Sequence, residues 1–173
     1  MIICISGYTG SGKTTVGELL AKELGIRHIA HSYKDFASGK ENVINVIKKA
    51  DSRFAKDFDS QVVKEAKKQD CVVTTWLGPW LIKDATLRIW LNASLESRAK
   101  RIARDKGMSV AKAKKYVMEK DKLTAAHFKR IYKINLADHS QFDAEINTEK
   151  YKPKEIASII AYLSIEKSKR RFD

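Results

Sequence analysis

Short apolar runs alternate with amphipathic stretches along most of the chain. The run "MIICIS" at residues 1–6 is unbroken, which is typical of a strand buried on both faces of a parallel sheet. Four later segments also have strand character: "RHIA", "CVVTTW", "TLRIWLN" and "FDAEINT". A helical pattern from Lys13 to Leu24 keeps Val16, Leu19 and Leu20 on one face and meets its natural stop at Gly25. Strands that alternate with helices predict an α/β fold with a doubly wound parallel sheet.

The remaining helical patterns follow the same logic. Residues 51–69 predict a helix that is capped by Asp51 or Ser52 and buries the face of Phe58 and Val62. Two basic helices are expected at about 94–106 and 109–133, and the pattern allows a break in the second. Pro153 opens a last helix that should run through Leu163 and give way to a frayed polar tail.

The chain has an excess of positive charge, and much of it is concentrated in one segment. The 173 residues suit one domain, 1–173, and carry 34 Lys plus Arg against 21 Asp plus Glu, a net charge of +13. Residues 98–133 alone hold 13 cations and three acids. This concentration favours nucleotides or nucleic acid as partners, although Lys-rich surfaces also serve solubility.

The cysteine positions and the hydropathy indicate the cellular compartment in which the protein is expected. Cys4 and Cys71 lie in strand-like runs without a CxxC partner, which predicts two buried thiols in a reducing compartment. No apolar run approaches the roughly 20 residues of a membrane span, and "MIICIS" has no basic leader. We therefore expect a cytoplasmic protein with no membrane partner; the oligomeric state is left open.

The stretch "ISGYTGSGKTT" at residues 5–15 carries the strongest chemical signal. It has the spacing Gly-x4-Gly-Lys-Thr between a strand and a helix, where backbone N–H groups and the helix N-terminus can cradle phosphates. Lys13 should reach the β- and γ-phosphates of ATP, and the Thr14 hydroxyl should bind Mg²⁺. The predicted ATP-binding residues are Gly7, Gly10, Ser11, Gly12, Lys13, Thr14 and Thr15.

A basic helix provides candidate groups for phosphoryl transfer. Arg98, Arg101 and Arg104 recur every three residues with few acids between them. Guanidinium groups in such a row can bind phosphates bidentately, so Arg98 and Arg101 join Lys13 as the predicted catalytic residues. The alternative is a solvated helix face with ordinary salt bridges.

Blocks along nearly the whole chain resemble the archaeal-type cytidylate kinases, a family of P-loop nucleoside monophosphate kinases. The resemblance is carried by the glycine loop and by "KDATLRIWLNAS", "RAKRIARDKGMS" and "RIYKINLADHSQFDAEINTEKYKP", in that order. It implies a five-stranded parallel sheet, a basic helical lid at about 98–133, an acceptor-binding region at about 31–68, and transfer of the ATP γ-phosphate to CMP or dCMP. By position, Arg98 and Arg101 match arginines that bracket the phosphates, Asp84 an aspartate near the acceptor, and Asp121 the lid's arginine-aspartate motif.

The chain departs from the family's pattern on the acceptor side. A Glu-Gly-Arg or Asp-Gly-Arg triplet usually follows the third strand, and here the residues are Thr74-Thr75-Trp76. The lid helix usually carries two arginines and a second acid, where this chain has Lys120, Thr124 and His127. The turn "HSYKDFASGK" holds lysines but no arginine. The predicted acceptor-binding residues are Lys34, Asp35, Trp76, Asp84, Lys120 and His127.

Two of these replacements have plain structural interpretations as well. Trp76 offers a stacking face to a ring, but it can equally belong to the core or to a subunit contact. His127 would make the local charge depend on pH, but a surface helix residue is the interpretation that we favour slightly.

Four functions remain open on the sequence, and the last in rank is a nucleotide sensor that binds ATP without transferring a phosphoryl group. The favoured one is an ATP-dependent nucleoside monophosphate kinase that acts on CMP or dCMP. Because the Glu-Gly-Arg or Asp-Gly-Arg triplet is absent, the alternative is a P-loop kinase that acts on another small acceptor. The basic segment and the tail "KSKRR" motivate a nucleotide-dependent RNA-associated protein, which ranks lower because aromatic residues are sparse in that segment.

Overall fold

Five parallel strands form one sheet with the order β2-β3-β1-β4-β5. The structure is a computed structural model, and it describes residues 1–33 and 43–169. The strands are β1 (Ile2–Gly7), β2 (Arg27–Ile29), β3 (Cys71–Val73), β4 (Leu87–Asn92) and β5 (Ala144–Asn147). All five predicted strands are therefore present, and the predicted parallel sheet is confirmed.

Seven helices surround this sheet in the described ranges. They are α1 (Lys13–Leu24), α2 (Val43–Lys49), α3 (Ser52–Ala66), α4 (Gly78–Leu81), α5 (Leu95–Lys106), α6 (Val110–Tyr132) and α7 (Pro153–Lys169). Within these ranges, none of the helices is long and apolar enough to cross a membrane.

The alternation of side chains along β1 builds two cores, one on each face of the sheet. Ile2 and Cys4 pack on one face with Phe58, Val62 and other residues of α3 and the chain after β3. Ile3 and Ile5 pack on the other face with α1, α7 and the facing residues of β4. Because successive side chains of a strand point to opposite faces, an unbroken apolar strand needs cover on both sides. Cys4 and Cys71 are both buried free thiols, as predicted.

Three helical details differ from the sequence expectation. The second basic helix is unbroken over its 23 residues. The last helix continues past Leu163 to Lys169. Ser164 does not end it, because this residue is buried and its hydroxyl donates a hydrogen bond to the Ala161 carbonyl. The short helix α2 was not predicted. Its buried Ile44, Val46 and Ile47 form too short a run to show a clear helical period.

The topology places one loop at the centre of the site. β1 is the middle strand, flanked by β3 and β4, and the glycine loop follows its carboxyl end. In open parallel sheets, ligands bind in the crevice outside the carboxyl ends of the strands. The ends of β1 and β3 and the start of α1 therefore define where a ligand is expected.

Candidate active site

The glycine loop takes a conformation that its glycines make accessible. Gly10 and Gly12 have φ angles of +78° and +97°, in the left-handed region that L side chains rarely adopt. A Cβ atom on Gly10 would also lie 2.9 Å from the Arg98 carbonyl oxygen, so the loop passes close to α5. Gly12 immediately precedes α1, and its carbonyl accepts the hydrogen bond from the Val16 N–H at 3.0 Å. The free N–H groups of this helix start are suited to phosphate oxygens.

Lys13 is folded back onto its own loop. Its Nζ donates hydrogen bonds to the Gly7 carbonyl at 2.6 Å and to the Tyr8 carbonyl at 3.1 Å, and it lies 4.9 Å from the centroid of the Trp76 ring. Burial, assisted by the charge of Lys120, lowers the pKa of Lys13 to about 7. An anion bound in the loop would favour the charged ammonium, because opposite charges raise the pKa of a lysine.

Arg98 anchors the loop. Its Nη1 donates to the Thr9 carbonyl at 3.0 Å and to Asp121 Oδ2 at 2.6 Å, while Asp121 Oδ1 accepts from the Thr9 N–H at 3.0 Å. The Arg98 Nε donates to the Ala93 carbonyl at 3.2 Å, and the side chain is buried. We call Thr9, Arg98 and Asp121 the loop anchor. The Arg98 guanidinium is hydrogen bonded to protein oxygens, and Arg98 does not line the cavity described below. The geometry therefore does not support the direct catalytic role predicted for Arg98.

Arg101 lies one turn later on α5 and faces the loop as well. Its Nη1 donates to the Thr148 hydroxyl at 2.8 Å and, over longer distances, to the carbonyls of Gly10 and Ser11. Its Nη2 donates to the Thr148 carbonyl at 2.8 Å. Unlike Arg98, Arg101 lines the cavity, so its predicted contact with phosphates fits this placement.

A cavity of about 600 Å³ extends from the glycine loop to side chains of α3 and α6. Loop residues from Thr9 to Thr15 line one end, and aromatic and polar side chains of α3 and α6 line the other. Three of the predicted acceptor-binding residues also line it: Trp76, Lys120 and His127. The predicted acceptor-binding residues Lys34 and Asp35 lie outside the described residues.

Asp84 was predicted near the acceptor, and the structure does not bring it there. It lies in the turn before β4, where Thr86 N–H donates to the Ile2 carbonyl at the start of β1. Its exposed carboxylate pairs at 3.8 Å with Lys67. Because all strands are parallel, a residue before β4 lies at the amino edge of the sheet, opposite to the glycine loop.

The residues after β3 supply hydroxyl groups and an indole. Thr74 Oγ1 is 2.9 Å from His28 Nε2, and Thr75 Oγ1 accepts the Gly78 N–H at 3.1 Å. The half-buried Trp76 packs near Tyr8 and Phe128 with ring centroids 6.2 and 6.4 Å away. Trp76 therefore contacts both the core and the cavity, which joins the two interpretations that the sequence left open.

His127 is buried, so the favoured interpretation as a surface helix residue is wrong. Its Nε2 is 3.4 Å from the Tyr33 hydroxyl, and its Nδ1 is 3.4 Å from Arg130 Nη2. Burial and then the Arg130 charge lower the pKa of His127. The imidazole is therefore neutral near pH 7 and adds no charge for a phosphate.

Lys120 is the α6 cation at the loop end of the cavity. Burial lowers its pKa, although the nearby Asp121 carboxylate opposes this effect. Within the described ranges, its ammonium makes no hydrogen bond or ion pair. The charge of Lys120 also acts on Lys13, so the two ammonium groups face a common region next to the loop.

Asp59 is a cavity residue that the sequence analysis missed. It is 6% exposed, and its Oδ2 accepts a hydrogen bond from the Tyr132 hydroxyl at 2.5 Å. Burial raises the pKa of Asp59 to about 6, against the lowering effect of that hydrogen bond. A signal was present, because Asp59 follows Ala55 by four residues and precedes Val62 by three, on the buried stripe of α3.

Thr124 was noted only as a departure from the family's pattern. It is buried on α6 and lines the cavity, and its Oγ1 has no hydrogen-bond partner among the described residues. A buried hydroxyl without a partner has a desolvation cost of about 1–3 kcal/mol, which a bound polar group can relieve.

Solved structures with the same architecture show the fold to which the chain belongs. Shikimate kinase from Acinetobacter baumannii matches with a TM-score of 0.62 at 18% identity, over 95% of this chain and 93% of that one. Deoxyadenosine kinase from M. mycoides matches with a TM-score of 0.60 at 15% identity, over 92% and 97%. Together with the glycine loop, these likenesses define a P-loop kinase fold.

Relatives in sequence define the family. Residues 34–150 match the cytidylate kinase-like family. A cytidylate kinase from Sulfurisphaera tokodaii is 37% identical over 95% of this chain and 96% of its own length, and one from Ignicoccus hospitalis is 31% identical over 92% and 96%. The chain belongs to the cytidylate kinase-like family and is a kinase-like phosphotransferase, as the sequence resemblance predicted.

Proposed function

We propose that this protein transfers the γ-phosphoryl group of ATP to CMP or dCMP. One observation carries the proposal: a single cavity joins the glycine loop with Lys13 to a pocket of aromatic and polar side chains on α3 and α6. Phosphoryl transfer needs donor and acceptor phosphates side by side, with positive charge around the migrating group. Lys13, Arg101 and Lys120 are the cations suited to that task.

The acceptor follows from the family. The relatives named above are cytidylate kinases, and the aromatic part of the cavity offers apolar walls to a pyrimidine ring. Lys120 is the group that would meet the phosphate of a monophosphate acceptor, because it lines the same cavity and its charge acts on Lys13. Small-molecule nucleotides are thus the proposed partners.

Magnesium fits the donor side of this site. Thr14 is exposed at the first turn of α1 and lines the cavity, so its hydroxyl is the protein group that would bind the ion. Within residues 1–33 and 43–169, no cluster of three or more His, Cys, Asp or Glu side chains is arranged to hold a metal. Phosphate and water oxygens would complete the ligands of the bound ion, which would neutralise charge that develops on the phosphates.

A coupled assay with ATP, Mg²⁺ and CMP, dCMP, UMP or AMP tests the proposal. We expect turnover of CMP or dCMP well above the ATPase background, and a loss of at least about 100-fold in Lys13→Ala, since that variant removes charge at the transferring phosphate. The exposed Lys22→Ala on the same helix is the matched control and should keep its activity. Absence of transfer to all four nucleotides would refute the nucleotide proposal, and an active Lys13→Ala would show that the loop is not the site.

A second candidate keeps ATP and changes the acceptor to another small phosphorylated or hydroxylated molecule. The observation that favours it is the segment Thr74-Thr75-Trp76, which gives the cavity neither a carboxylate nor a cation at the end of β3. A thermal-shift screen of small acceptors with an ATP analogue discriminates the two. Stabilisation by a non-nucleotide, with none by CMP, would favour this second candidate.

A further inference from the structure

The cavity ends, away from the glycine loop, in a pocket whose only charged group among the described residues is a carboxylate. Its walls are Tyr33, Phe58, Asp59, Thr124 and His127, which we call the inner pocket. Tyr33 and Phe58 pack edge to face, with ring centroids 4.8 Å apart, and Tyr33 also contacts the neutral His127. The inner pocket is thus apolar on its walls and polar at a few defined points.

We propose that the inner pocket binds the base of the acceptor and that Asp59 accepts a hydrogen bond from the exocyclic amino group of that base. The pocket then selects cytosine over uracil. This inference rests on the proposed function and adds a specificity-determining residue to it.

The state of Asp59 supports this assignment. Tyr132 donates to one carboxylate oxygen, and Oδ1 accepts no hydrogen bond from the described residues. Above pH 6 or so the group is ionised, because its pKa is about 6. An ionised carboxylate can only accept hydrogen bonds. Cytosine presents an amino group at position 4, whereas uracil presents a carbonyl oxygen there, which would repel the carboxylate.

The order of side chains along α6 sets the direction of the ligand. Lys120, Thr124 and His127 all line the cavity in turn, and Tyr132 then meets Asp59. At about 1.5 Å of rise per residue, Lys120 and His127 are about 10 Å apart along the helix. A monophosphate can therefore place its phosphate at Lys120 and its ring in the inner pocket.

Charge excludes the opposite orientation. Arg130 contacts His127 at 3.4 Å but does not line the cavity, and a phosphate placed in the inner pocket would meet the Asp59 carboxylate. The unpartnered Thr124 hydroxyl lies between the two ends and can bind a polar group of the sugar or ring. Lys120, Thr124 and Asp59 then each have a counterpart on a cytidine nucleotide.

The test compares CMP with UMP in the whole protein and in Asp59→Asn. Affinity is measured by calorimetry with a non-hydrolysable ATP analogue present, and kcat/KM by the coupled assay. The wild type should prefer CMP, and the CMP-to-UMP ratio should fall at least about tenfold in Asp59→Asn, because the new amide can donate to the uracil oxygen. Asp57→Asn makes the same change at an exposed position of α3 and should leave the ratio unchanged.

A ligand change keeps the proposal testable if Asp59→Asn does not fold. The 2-pyrimidinone nucleotide is CMP without its 4-amino group, and the wild type should bind it at least about tenfold more weakly than CMP. Equal affinities, or an unchanged CMP-to-UMP ratio in a folded Asp59→Asn, would overturn the role of Asp59. Because binding is read separately, CMP binding that depends on the amino group without turnover would refute the proposed kinase activity and leave this inference standing.

Discussion

Asp59 makes the free energy of unfolding depend on pH in an unusual direction for a carboxyl group. Burial raises its pKa from 3.8 to about 6 in the folded protein. Between these values the folded state binds more protons than the unfolded state, so stability falls as pH rises through this window. The folded carboxyl is neutral below the window, and above it an ionised group stays buried.

Asp59→Asn should remove this dependence. We expect the difference in free energy of unfolding between the variant and the wild type to change by at most about 3 kcal/mol between pH 4 and pH 7, with the variant gaining relative stability as pH rises. Urea denaturation at several pH values measures it. Asp57→Asn, at an exposed site on the same helix, should run parallel to the wild type. A difference that does not vary with pH would show that Asp59 is ionised throughout.

The residues that sequence reasoning found and missed differ in how local their signal is. Lys13 and Thr14 follow a strand and open a helix, so neighbouring residues alone set their position. Arg98 and Asp121 are 23 residues apart, and their pairing with Thr9 depends on how α5 and α6 pack against the loop. Asp84 was placed near the acceptor by the family resemblance, although a residue before a strand of a parallel sheet lies at the edge opposite to the glycine loop. Tertiary contacts decide such cases, and the chain's periodicity does not contain them.

At the scale of elements, α5 and α6 hold the glycine loop through the loop anchor. The Arg98 and Asp121 side chains are only 10% and 13% exposed, and the pair makes several hydrogen bonds beyond its ion pair. Removing one partner of a buried ion pair leaves the other charge uncompensated, at a cost of about 3–5 kcal/mol. The conformation of Thr9 and Gly10 therefore depends on two helices distant in sequence.

Arg98→Ala is expected to destabilise the protein by about 3 kcal/mol and to raise KM for ATP, because the loop loses its fixed geometry. Denaturation and initial-rate kinetics measure the two effects. The exposed Lys100→Ala on the same helix should change the free energy of unfolding by less than about 0.5 kcal/mol. If Arg98→Ala kept full stability and lost only kcat, Arg98 would act on the phosphates directly, as the family resemblance implied.

The helices themselves were largely predictable, and their limits were not. Residues 51–69 contain an amphipathic period and a capping aspartate, and Asp51 does accept the Phe54 N–H at 2.8 Å. The break that the pattern allowed in α6 is absent, because Ala113, Val117, Thr124 and Phe128 form a continuous buried face through the basic sequence. A run of polar residues does not end a helix when its other face is packed.

At the scale of the whole molecule, the question is what the net charge of +13 serves. Within the basic segment 98–133, Arg98 and Arg101 point their guanidinium groups at loop carbonyls, and Lys120 faces the cavity. Lys114 pairs with Glu96 at 3.4 Å. Three of the 13 cations are therefore engaged with the loop or the nucleotide site, and the other ten, Lys112 and Lys115 among them, are exposed to any external polyanion.

Because few aromatic side chains accompany these cations, we expect any RNA binding to rest on charge alone, to be unspecific and to be separate from phosphoryl transfer. Affinity for a fluorescent single-stranded RNA, measured across salt concentrations, should fall with a log–log slope of about −0.7 per neutralised phosphate. Changing Lys112 and Lys115 together to Gln should reduce that slope by up to about 1.4 and leave CMP turnover unchanged, since neither side chain lines the cavity. RNA binding that persists above about 0.2 M salt and is displaced by ATP would contradict this. It would place the polyanion at the glycine loop and favour the RNA-associated function over the kinase.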